Sequence, residues 1–311
     1  MRERAAQELT PARRPTGADR PSRASQRRAV PLGGAAYRAG ARMVRAMPRA
    51  LRYAAAAPGG AAWFWLSGAQ RRAALDNYAA ALGRERDDPE VARVARRAFQ
   101  NYGRVVMDFL LLGSLSREDV LSRMTVVGRE HIDAALAAGR GAIIALPHMG
   151  SWDMSAAYAA VVGYPVLAVT ERFPGSLNDA VVATRNRFGL KIVAPGRSAV
   201  RAITQQLRAN GVVALVSDLE QGPGISVRFF GRYAVVPGGP AAFALKTGAP
   251  LIAAYQYVTD SGRYHGYVDP PLKYGAAETK ESLTQRLVDR FEAFIKEHPD
   301  QWYAFRPMFS R

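Results

Sequence analysis

Residues 140–156 read RGAIIALPHMGSWDMSA, and this run decides the fold. Residues 142–146 are apolar without alternation, the pattern of a strand buried on both faces. Pro147 has no N–H to give to a ladder, so the strand stops there. His148, Met149 and Gly150 form the turn that follows. Ser151 is an N-cap residue, and the small residues of 152–162 read as the helix behind it. The order strand, short polar loop, helix is the unit of which parallel α/β sheets are built.

His148 and Asp153 stand five apart across the loop-to-helix junction. On one regular helix that spacing would splay them, since five residues turn about 500°. With His148 in the loop and Asp153 in the first helical turn, the carboxylate comes within reach of the imidazole. Such a pair suits general-base catalysis, because the carboxylate fixes the tautomer and stabilises the imidazolium. The spacing alone serves a satisfied buried histidine beside a helix-capping aspartate equally well. The setting favours chemistry: a polar loop at the C-terminal end of a buried strand is where open α/β sheets bind ligands.

Outward from this unit, strands are predicted at 124–127, 165–170, 191–194, 212–217, 251–258 and 264–268. Helices are predicted at 130–138, 177–188, 198–209, 240–247 and 283–296. The alternation gives an α/β fold with a central, mostly parallel sheet flanked by helices. Residues 31–113 form a helical N-terminal part, with helices at 71–83 and 88–112, and 114–311 the α/β core of one domain spanning 31–311. Residues 1–30 are rich in Arg, Ala and Pro without periodicity and read as a disordered basic tail.

The net charge is +17, and residues 1–52 hold 13 arginines against 3 acids, so +10 of it lies there. An anionic partner is implied. From about residue 34, Arg38, Arg42, Arg45, Arg49 and Arg52 fall within an arc of about 80°. Tyr37, Met43, Val44, Met47 and Leu51 lie opposite. That is the composition of an interfacial helix on an anionic membrane, or of a surface helix packing its Met face on the core. Pro48 kinks or ends it. The stretch 54–66, with Trp63, Phe64 and Trp65, is broken by Pro58, Gly59 and Gly60 and falls short of the roughly 20 apolar residues of a membrane span. The absence of cysteine excludes disulfides, a thiol nucleophile and thiolate metal sites, and four scattered histidines form no metal cluster.

A second chemical stretch, 216–231, reads VSDLEQGPGISVRFFG. Asp218 and Glu220 sit where a strand opens into a turn marked by Gly222, Pro223 and Gly224. They are candidates for a site, or for turn chemistry alone. Arg172 closes a strand and Arg185 lies near a helix end; either a structural ion pair or a clamp on phosphate accounts for them. There is no G-x-S-x-G elbow, Walker A sequence or G-x-G-x-x-G.

LPHMGSWD resembles the H-x-x-x-x-[DE] block of the lysophospholipid acyltransferase-like superfamily. More narrowly it resembles the branch of lipid A lauroyl acyltransferases and phosphatidylinositol mannoside acyltransferases, which carries a small residue and a Trp before the acid, as Gly150, Ser151 and Trp152 do here. Further matches are R-x-x-[AV]-x-x-N-[LY] at 71–78, D-x-[DE]-x-G at 218–222 followed by F-F-G at 229–231, Arg185 four before Gly189, and P-[ED]-[QD]-W at 299–302. Leu219 departs from the basic or polar residue common at its place. The resemblance spans about 34–309. It implies a peripheral O-acyltransferase at the cytoplasmic face of the inner membrane, with His148 as base, Asp153 orienting it and Glu220 helping to place the pair. Asp218, Arg172, Arg185, Trp152 and Ser151 are the implied substrate contacts, and Trp302 is expected to pack beneath the site. The implied donor is acyl-CoA or acyl carrier protein and the acceptor a phosphoglycolipid such as a phosphatidylinositol mannoside, or a lipid A precursor; no cofactor, metal or nucleic acid is implied. The rival expectation is a non-enzymatic basic protein that binds anionic lipid or nucleic acid.

Overall fold

A computed structural model describes residues 33–222 and 224–309. The expected basic tail, 1–30, lies outside them. Helix α1 (Gly33–Ala46) ends just before Pro48, and Arg52 closes it, its Nε donating to Met47 O (2.7 Å) and its Nη2 to Arg45 O (3.0 Å). The next stretch corrects the sequence reading. Pro58, Gly59 and Gly60 do not break it: α2 (Arg49–Leu66) runs straight through them. The reason is the crossing with α4 (Pro89–Leu112). A Cβ on Gly60 would collide with the Phe99 carbonyl, and one on Gly103 would meet Ala56 O at 2.6 Å. These glycines serve close backbone approach, not a turn. Between the two helices lies α3 (Gly68–Leu82), closed by Gly83 at φ +62°. Asp88 caps α4 by accepting from Glu90 N (2.8 Å), with Pro89 in its first turn.

The remainder alternates as expected. In chain order come α5 (Arg117–Arg123), β1 (Met124–Val127), α6 (Glu130–Ala137), β2 (Ala142–Leu146), α7 (Trp152–Val161), β3 (Val166–Val169) and α8 (Ser176–Asn186). Then follow β4 (Lys191–Val193), α9 (Arg197–Arg208), β5 (Val212–Val216), β6 (Ile225–Phe229), β7 (Arg232–Val236) and α10 (Gly239–Thr247). The last elements are β8 (Leu251–Val258), β9 (Tyr264–Val268) and α11 (Lys280–Glu297).

Seven strands form one sheet in the order β1-β9-β8-β2-β5-β3-β4. Its five strands from β8 to β4 are parallel, β9 is antiparallel to β8, and β1 is parallel to β9. β6 and β7 form a separate hairpin. The continuous apolar runs of β2 and β5 follow from burial on both faces. Ile143, Ala145, Val213 and Leu251 point into the larger core, while Ile144, Leu146, Val212 and Ile252 point into a smaller one on the other side.

Candidate active site

β2 and β5 are neighbours in register, with Leu146 opposite Val216, and Ser217 N continues the ladder by donating to Leu146 O (3.0 Å). His148 and Asp218 each stand two residues beyond that pair, so the register delivers them side by side at the C-terminal edge of the sheet. His148 Nδ1 lies 2.6 Å from Asp218 Oδ1. Asp218 is fully buried, and its other oxygen accepts from Trp302 Nε1 (2.8 Å). With Nδ1–H donating to the carboxylate, the lone pair of Nε2 is left for proton abstraction. Nε2 has no hydrogen bond among the described residues, and the His148 side chain is 20% exposed. A histidine held by a buried carboxylate, itself held by an indole, has the orientation that general-base chemistry requires.

The loop is held from the C-terminal side. Tyr303 N donates to His148 O (2.7 Å), Gly150 N to Gln301 O (3.2 Å), and Met149 and Trp302 form an antiparallel bridge. Gly150 stands at φ +52°, and a side chain there would strike Gln256, so only glycine fits this turn. The Gln301 amide pairs both ways with Val258, at 3.0 Å each. The segment is tied in turn to the N-terminal helices. Tyr78 OH donates to Trp302 O, and Asn77 Nδ2 to Ala304 O (2.8 Å) and Arg306 O (2.7 Å). Asn101 Nδ2 donates to Asp300 O at 3.0 Å. The R-x-x-A-x-x-N-Y element thus anchors the strut that carries Trp302.

F-F-G has a similar explanation. Phe230, at φ +50°, and Gly231 make the two-residue turn of the β6–β7 hairpin. Stacked Phe229 and Phe230 both pack on the Trp302 ring, at 5.8 and 5.4 Å between centroids. On the other side, Trp152 meets the His148 ring edge-on at 5.4 Å, backed by Tyr102 and Tyr303. Burial, and then the charge of Asp153, raises the Tyr102 phenol above its ordinary value, keeping it a neutral hydroxyl.

The pairing of Asp153 with His148 is corrected. The first turn of α7 carries Asp153 to Arg185 on α8, whose Nε donates to Oδ1 (2.6 Å) and Nη2 to Oδ2 (3.3 Å). Both side chains are largely buried, and the guanidinium also lies over the Phe109 ring. Arg185 therefore directs its fork at Asp153. Of the D-x-E pair, the acid that meets the imidazole is Asp218. Glu220 is exposed, with no hydrogen bond or ion pair among the described residues, and the same holds for Arg172. Ser151 is buried, its hydroxyl oxygen capping α7 by accepting from Met154 N (3.2 Å).

Beneath α7 runs an apolar slot. Ala156 and Ala159 of the helix face Ala168, Ala214, Ala254 and Gly266 of the sheet, and small residues on both sides leave a cleft whose volume, open solvent at its mouth included, is about 1090 Å³. The slot crosses the sheet from β9 to β4 and reaches Pro147, Trp152 and Asp153, which flank His148 in the chain. Among the described residues, no group of three or more His, Cys, Asp or Glu is placed to hold a metal ion, and no helix is long and apolar enough to cross a membrane.

The family model described as bacterial lipid A biosynthesis acyltransferase matches residues 25–311. The chain belongs to this family. It is 30% identical over 290 residues to the phosphatidylinositol mannoside acyltransferase of Mycolicibacterium smegmatis, covering 90% of this chain and 93% of that one. The protein of the same name from Mycobacterium tuberculosis is 31% identical over 219 residues, 68% and 69% of the two chains. The lipid A biosynthesis acyltransferase of Haemophilus influenzae is 24% identical over 191 residues, 60% and 59%. Family membership makes the protein an acyltransferase and decides against the non-enzymatic reading. Sequence reasoning paired His148 with Asp153, whereas the structure sets Asp218 against it. The equal offset of two residues beyond β2 and β5 emerges only with the observed end of β5 at Val216.

Proposed function

We propose that this acyltransferase moves a fatty acyl chain from acyl-CoA to a hydroxyl of a phosphoglycolipid, a phosphatidylinositol mannoside, with His148 as general base and Asp218 as its orienting carboxylate. The observation that carries the reading is the His148–Asp218 pair, with an apolar slot that reaches Pro147 and Trp152 next to it in the chain. His148 Nε2 takes the proton of the acceptor hydroxyl, and the oxygen attacks the thioester carbonyl. The tetrahedral intermediate collapses, the C–S bond breaks, and the thiolate recovers the proton from the imidazolium. Asp218 stabilises that imidazolium without taking the proton. The acyl chain lies in the slot, where its burial supplies about 0.8 kcal/mol per CH₂. The donor thioester is a substrate, and the reaction as written consumes no cofactor.

The acceptor assignment rests on the longer match to the mycobacterial enzymes and on the basic surface. Peripheral docking on the anionic cytoplasmic face of the inner membrane is supported by the N-terminal helices. Met43, Leu51, Trp65 and Leu66 are exposed there alongside Arg38, Arg42 and Arg45, a mixture suited to an acidic lipid interface. The domain division at 31–113 and 114–311 belongs to the same reading, the helical part meeting the lipid and the core carrying the chemistry.

The test is transfer from radiolabelled palmitoyl-CoA into an anionic glycolipid extract, wild type beside His148→Ala and Asp218→Asn. A labelled glycolipid made by wild type and lost in both variants is expected, and its identity names the acceptor. Transfer undiminished in both variants would sink the assignment of base and orienter. Transfer only from acyl carrier protein would replace the donor and favour late acylation of a lipid A precursor.

A further inference from the structure

A second pocket, sharing no lining residue with the slot, opens between α3, the start of β7 and the segment 307–309; its volume, open solvent at its mouth included, is about 1150 Å³. Arg72, Arg86 and Arg232 line it, against one carboxylate, Asp76, which is bound by Arg86 at 2.9 Å. Arg72 and Arg232 make no ion pair with a carboxylate among the described residues. The Arg232 guanidinium lies over Phe309, 5.0 Å from the ring centre.

Asn77, also in the lining, is 1% exposed. Its Nδ2 donates to Ala304 O and Arg306 O, which fixes the orientation of the amide, and its Oδ1 has no partner. That oxygen is buried, so it is a cost carried by the fold and not a contact offered to the pocket. What the pocket presents is two guanidinium groups without a carboxylate partner among the described residues, which call for an anion. Trp65 and Leu66, 63% and 85% exposed, stand immediately before α3, so apolar side chains adjoin the rim.

We propose that this pocket binds a phosphate ester, carried by an anionic lipid head group or free as a small polyol phosphate. Arg72 and Arg232 hold the phosphate oxygens, and Phe309 forms the apolar wall. The proposal is independent of the roles given to His148 and Asp218.

The probe is sn-glycerol 3-phosphate, titrated calorimetrically into the full-length protein, with glycerol as control. Wild type is expected to bind the phosphate ester and not glycerol. The Arg72→Gln/Arg232→Gln double variant is expected to bind about tenfold more weakly or worse, with its thermal unfolding unchanged, because charge-assisted bonds to phosphate are lost. Absence of binding to wild type, or equal affinity in the variant, overturns the proposal. Flotation with phosphatidylglycerol-containing against pure phosphatidylcholine vesicles then assigns the source. Weaker flotation of the variant on the anionic vesicles makes the ligand a lipid head group; equal flotation, with glycerol 3-phosphate binding lost, makes it a free polyol phosphate.

Discussion

Replacing Asp218 by asparagine keeps the shape beside His148 and changes the proton. Trp302 donates to one side-chain oxygen, so the new amide turns its NH₂ to Nδ1 and forces the His148 proton onto Nε2, the atom that must be free. Turnover is expected to fall by about 10²- to 10⁴-fold with the melting temperature little changed, read by steady-state kinetics and calorimetry. Asp153→Asn acts elsewhere. It leaves Arg185 buried without a countercharge, and urea denaturation is expected to show a loss of about 3–5 kcal/mol. A stable Asp153→Asn protein would contradict that account. Trp302→Phe keeps a ring on Phe229 and Phe230 and deletes one hydrogen bond to Asp218, so kcat should fall about tenfold at constant KM, with a shifted pH profile. His148 was legible because its strand, turn and helix are contiguous in sequence. Its partner was not, because that depends on β5 lying beside β2, a pairing between residues 70 apart that no local pattern states.

Among the elements, α7 is built from small residues, and this much was visible in the sequence. That its alanines face further small residues on the sheet was not, since the void arises only once the order of strands is set. Ala156→Leu or Ala214→Leu narrows the slot, and competition between palmitoyl and decanoyl donors is expected to swing toward the shorter chain. An unchanged preference would place the acyl chain elsewhere. α2 misled for a related reason: Pro58 and Gly60 obey local rules, but packing on α4 overrides them. At the end of α11, burial lowers the pKa of His298, which stacks on Tyr257. The folded state then binds this proton less readily than the unfolded chain. Its contribution to stability is present above about pH 6.5 and declines as pH falls below that value, and thermal unfolding of His298→Phe should show a flatter acid limb.

Across the whole molecule, charge and apolar exposure coincide on the N-terminal helices. If this face docks on lipid, binding to anionic vesicles should fall steeply as salt rises, and Trp65→Ser with Leu66→Ser should weaken it further without altering the fold, since both side chains are exposed. Vesicle binding indifferent to both would remove the face from consideration. The fold class was legible because alternating strands and helices admit few arrangements. The reversal of β9 and β1 against the parallel strands was not, being settled by the tight connection between β8 and β9. The strut at 299–306 follows every other part of the centre in chain order. A nascent chain therefore brings His148, Asp218 and the slot out of the ribosome before anything braces them. On the proposed mechanism, acyl transfer is expected to begin only after synthesis has passed this strut, and a protease cut just behind Glu297 is expected to abolish it in a finished molecule.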